Sequence, residues 1–116
     1  MSDFSRYSDK NKYGGYTWMI KFESVFHIFI HSTPDYSFVV DLKEWGFISY
    51  RKTHFSFVSN RGLINTIEEA YEKTILHLNQ NTKYKIDKNI AYNNMNYMVG
   101  QFLHSTDPVT KSIIFD

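Results

Sequence analysis

The chain has 116 residues, a mass of 13.8 kDa and 13 basic against 12 acidic residues. That is the size of one domain, and the near-zero balance excludes a strongly basic nucleic-acid coat or an acidic DNA mimic as a description of the whole chain. With no cysteine, disulfide frameworks, thiolate metal sites, iron–sulfur clusters and cysteine nucleophiles are all excluded, as a reducing, cytoplasmic setting would favour.

Ten Phe, nine Tyr and two Trp give dense aromatic content, enough burial per residue for a core without staples. Met1 to Lys12 is polar and mixed in charge, without the apolar centre of a signal or transit peptide. It reads as a flexible arm, with a single domain expected over residues 13–116. No run approaches the ~20 apolar residues of a membrane span.

From Tyr16 the side chains alternate. Tyr16, Trp18, Ile20 and Phe22 share one face, and Glu23-Ser24 forms a turn. A second strand spans Val25 to His31, and the Ser32–Asp35 stretch with its proline interrupts the ladder. A third strand covers Tyr36 to Leu42. Lys43-Glu44-Trp45-Gly46 then reads as a hairpin tip, with Gly46 suited to positive φ. A fourth strand is expected over Phe47–Lys52 and a fifth over Phe55–Ser59. The fold class is therefore α+β, with an antiparallel meander of about five strands.

Thr66 and Glu69 match a capping box opening an amphipathic helix, with Ile67, Ala70, Tyr71, Thr74, Ile75 and Leu78 on one face. This helix is expected to pack on the sheet and to end at Asn79–Asn81. A polar connector carrying Lys83, Lys85 and Lys88 leads to a second helix over about Lys88–His104. Ser105 to Pro108 breaks the chain, and Thr110–Phe115 reads as a short final strand.

No chemical motif stands out. His27 and His31 lie four residues apart on a strand, about 13 Å at ~3.3 Å per residue, too far to share a metal. His54, His77 and His104 fall on separate elements. Glu23, Asp35, Asp41 and Glu44 sit near strand ends and turns, where solvated acids are the rule. No nucleophile elbow or glycine-rich phosphate loop is present. No catalytic residue, cofactor or metal is expected, and the chain reads as a non-enzyme.

Two binding readings remain. Apolar residues occur on both faces of the early strands, so one face needs the C-terminal segment, a second subunit or a partner to cover it. Trp45 between Lys43, Glu44 and the turn is a candidate protein anchor, since Trp concentrates at interface hot spots. A protein partner is expected, with a homodimer as another way to cover that face. The alternative is a single-stranded nucleic-acid or RNA-binding sheet using Tyr50, Arg51, Lys52, Lys83, Lys85 and Lys88 for stacking and phosphate contacts. A small enzyme with an unrecognised site is the third reading. Small cysteine-free domains rich in Asn, Tyr, Lys and Ile suggest an inhibitor, immunity, anti-defence or accessory protein of a bacterium or phage, blocking a partner enzyme sterically.

Overall fold

A computed structural model describes residues 4–8 and 10–115. The chain is α+β, an antiparallel sheet followed by helices. It divides into two compact units, Met1–Gly62 and Leu63–Asp116.

The first unit holds β1 (Phe4–Ser8), β2 (Thr17–Phe22), β3 (Phe26–Ser32), β4 (Phe38–Trp45) and β5 (Tyr50–Ser59), side by side in chain order. Between Tyr16 and Ser59 there are thus four strands where alternation predicts five. Phe4–Ser8, assigned from sequence to a flexible arm, pairs antiparallel with β2, Phe4 opposite Ile20 and Arg6 opposite Trp18.

Period-two alternation does build the core face. Trp18, Ile30, Val40 and Phe57 form one row across four strands, and Ile20, Ile28, Leu42 and Phe55 form the next. Trp18, Ile20, Ile28, Ile30, Val40 and Leu42 are fully buried. Each such side chain removed from water contributes ~1.5–3 kcal/mol, so these rows dominate the stability of the unit. The β2–β3 turn puts Glu23 (φ 53°) and Ser24 (φ 56°) in the left-handed region, whose twist suits a tight hairpin.

The missing strand break has a physical cause. Leu42 pairs with Phe55 but Lys43 with Thr53, leaving His54 as an extra residue. Glu44 pairs with Lys52 but Trp45 with Tyr50, leaving Arg51 as a second. Each bulge slips the alternation by one residue without ending the strand. The predicted fourth and fifth strands are one strand, and Phe47 belongs to the loop before it.

In the second unit, α1 spans Leu63–Asn81, α2 Lys88–Leu103 and α3 Pro108–Phe115. Helix α1 begins a turn before the predicted capping box. Thr66 is therefore a buried helical residue beside Leu63, Ile67, Ala70 and Tyr71 on the apolar face, rather than a cap. Asn79 organises the connector, accepting from the Ile86 amide (2.5 Å) and donating to the Ile86 carbonyl (3.2 Å). Asp87 caps α2, its carboxylate accepting from the Asn89 and Ile90 amides.

The predicted C-terminal strand is a helix. Asp107 accepts from the Val109 amide (3.1 Å) and the Thr110 hydroxyl (3.1 Å), and Pro108 occupies the first helical position. Proline lacks an amide there that would go unbonded anyway, so Asp-Pro starts a helix as well as it breaks a chain. Among the described residues no helix is long and apolar enough to cross a membrane.

Candidate binding surface

The two bulges aim side chains at one acid. His54, almost wholly enclosed, approaches Glu44 Oε1 through Nε2 (2.8 Å), and Arg51 reaches Glu44 Oε2 at 3.5 Å. Glu44 is the β4 residue opposite both slips, so the re-aimed side chains satisfy a half-buried carboxylate that would be costly alone. Glu44, a candidate contact residue by sequence, is thus engaged inside the unit, as is Arg51.

The hairpin then turns tightly. The Gly46 amide donates to the Ser49 carbonyl at 2.7 Å. A Cβ on Gly46 would sit 2.5 Å from Arg51 Cγ and 2.8 Å from the Ser49 carbonyl oxygen. Glycine is needed here for room rather than for the positive φ expected from sequence, since Gly46 lies outside the left-handed region. The Trp45 amide donates to the Val25 carbonyl at 2.6 Å, tying this end of β4 to the β2–β3 turn.

Behind the tip lies an aromatic cluster on the sheet face opposite the core rows. The Trp45 ring stacks on His27 (6.0 Å, 14° between planes) and meets Tyr50 edge-on at 4.8 Å. Tyr50 also packs edge-on against Phe29 at 5.4 Å, and its hydroxyl lies 2.7 Å from His27 Nδ1. Lys43 Nζ stands 5.7 Å from the Phe29 ring centre and 5.8 Å from that of Tyr50, within cation–π range. Burial, and secondarily the Lys21 ammonium, hold the His27 pKa below its ordinary value.

Trp45 folds back on the sheet and still leaves 39% of its surface exposed. Ahead of it, Phe47 is 97% exposed and Ile48 81% exposed. Sequence alternation places both in a strand, with Ile48 on its second apolar face, rather than at the tip. Their flanks are basic: Lys52 and the Arg51 side chain are exposed, and Lys43 is half-buried.

Farther along the same face, the Thr17 hydroxyl bonds His31 Nδ1 (2.8 Å), His31 Nε2 lies 3.1 Å from Asp41 Oδ2, and the Ser56 hydroxyl donates to Asp41 Oδ1. The His31 hydrogen bond is the largest cause of the lowered Asp41 pKa. Thr17 is buried, and the exposed hydroxyl of Ser56 meets the carboxylate instead of the imidazole. Nucleophilic catalysis needs an accessible hydroxyl on the base; this chain of bonds ties four strands together instead.

The structure unites Lys43, Trp45 and Tyr50 from the two sets predicted separately. Of the nucleic-acid set, Tyr50, Arg51 and Lys52 belong to the first unit and Lys83, Lys85 and Lys88 to the helical unit. Lys83 lies over the Tyr84 ring (5.6 Å), Lys85 donates to the Asn79 carbonyl (2.7 Å), and Lys88 opens α2. Among the described residues no group of three or more His, Asp or Glu could hold a metal ion. No protein family, curated protein or solved structure matches the chain.

Proposed function

We propose that this chain is a non-catalytic protein-binding module of the inhibitor, immunity or accessory class, docking on a partner enzyme through the β4–β5 tip and blocking it sterically. The near-complete exposure of Phe47 and Ile48 carries this reading. Two large apolar side chains held in water by a short turn do nothing for the fold, and such groups mark interaction sites. Trp45 beside them, with 39% of its surface exposed, is of the residue type that dominates binding energy at interfaces. The aromatic cluster holds the base of the tip rigid, which lowers the entropy lost on docking.

The nucleic-acid reading is weaker on the same geometry. Tyr50 is contacted by His27, Phe29, Trp45 and Lys43, leaving its ring poorly placed to stack a base. The test is capture of partners from untreated and nuclease-treated lysate by the wild type, Phe47→Asp/Ile48→Asp, and Lys83→Ala/Lys85→Ala. Loss of one hot spot costs ~2 kcal/mol, so the tip variant loses a stoichiometric partner by about 30-fold or more. The lysine variant keeps it. Loss only in the lysine variant, with material that disappears on nuclease treatment, would sink the proposal.

A further inference from the structure

We propose that the β4–β5 tip of one molecule inserts into the groove between α1 and α2 of a second copy, so that the protein self-associates head to tail. This rests on the tip being a docking anchor and goes further by naming an occupant.

The helical unit carries a groove of about 420 Å³ lined by Ile75, Leu76 and Tyr92, with Glu72 and Lys88 among its polar members. That volume lies at the lower end of small-ligand sites and has room for two apolar side chains. Leu76 remains 55% exposed within it. Phe47 and Ile48 have the complementary character, apolar and projecting.

Charge points the same way. Glu68 and Glu72 are exposed, one helical turn apart, and Leu76 follows one turn later on the same face. Carboxylates four residues apart repel each other on a helix, and with Lys88 the one cation among the described residues lining the groove beside Glu72, a further cation brought to this face is favoured. Lys52, exposed beside the tip, supplies such a cation. The mating surfaces are two different patches, so each contact leaves a tip and a groove open, and the assembly extends or closes into a ring.

Light scattering on the purified full chain, from micromolar to millimolar concentration, tests this. The wild-type mass rises above 13.8 kDa with concentration and falls back with added salt. Phe47→Asp and Leu76→Asp each remain monomeric, and their equimolar mixture forms a species of twice the monomer mass that grows no further, because one molecule contributes the only intact groove and the other the only intact tip. Circular dichroism verifies that both are folded, and Leu76→Ser replaces Leu76→Asp if the latter unfolds. A wild type that stays monomeric throughout overturns the proposal, as does Phe47→Asp associating like the wild type or a mixture that stays monomeric. If the wild type is monomeric yet Phe47→Asp loses a foreign partner, self-docking fails alone. If Phe47→Asp keeps that partner, the protein-binding reading fails as well.

Discussion

The two hairpins at opposite ends of β4 solve the same problem with opposite materials. The β3–β4 turn is closed by polar groups: the Thr33 amide donates to the Ser37 carbonyl (3.0 Å), and the Thr33 and Ser37 hydroxyls both donate to Asp35. Asn11 clamps the neighbouring loop, its side-chain amide donating to the Tyr16 and Ser32 carbonyls. The β4–β5 turn is closed by one backbone bond across Gly46, and its other residues include an exposed phenylalanine and isoleucine. At one end polar side chains are consumed in holding the chain. At the other, two adjacent apolar side chains are displayed, against the single exposed ring of Tyr36 at the first. The difference teaches where to seek function: in residues the fold does not use.

The largest effect is expected at the interlocked end. A Cβ on Gly15 would lie 2.1 Å from the Ser32 carbonyl oxygen and 2.6 Å from its carbon. These are backbone atoms of a central strand, so Gly15→Ala should destabilise by about 3 kcal/mol, read by urea unfolding. A loss below ~0.5 kcal/mol would show that this end is not tightly locked.

A gain is expected in the β3–β4 turn. Tyr36 has φ 65° and is 86% exposed, in the left-handed region that glycine usually fills. A left-handed side chain costs ~1–2 kcal/mol, partly offset by the extra backbone entropy glycine loses. Tyr36→Gly should therefore stabilise by about 0.5–1 kcal/mol; a net loss would mean the ring contributes packing there.

The smallest effect is a pH dependence at the aromatic base of the tip. His27 has its folded pKa lowered from 6.5, so its unfolded form binds the proton more readily. Stability is complete above the unfolded value and declines as pH falls through 6.5 toward the folded one. Melting between about pH 7.5 and 5.5 should decline more steeply for the wild type than for His27→Gln. Asp41, also lowered, acts only below its ordinary value of 3.8 and stays outside that window. Equal slopes in the two proteins would remove His27 as the cause.

Much of the fold was legible. Alternation marked the core face of β2, and helical periodicity marked the buried stripe of α1. What escaped was phase and capping. The bulges at His54 and Arg51 shift the alternation by one residue each, which in sequence looks like a strand ending. Ile113 and Ile114 favour a strand locally, but Asp107 and Pro108 decide the matter by starting a helix. The Thr-x-x-Glu pattern was present but lay inside α1. For the surface, Trp45 and Lys43 could be found because a tryptophan in a charged turn is unusual. The place of Phe47 and Ile48 at the tip could not, because an apolar pair beside a strand reads as strand until the pairing of Trp45 with Tyr50 puts it in the loop.

The central claim is that the tip serves binding and not folding, and one pair of readings on Phe47→Asp/Ile48→Asp tests it most directly. Thermal unfolding and partner capture are measured on the same preparation. The account predicts a stability within ~0.5 kcal/mol of wild type, as for exposed sites in general, together with loss of the captured partner. A melting temperature lowered by several degrees would mean the tip is packed within the fold, and undiminished capture would mean that binding lies elsewhere; either would contradict it.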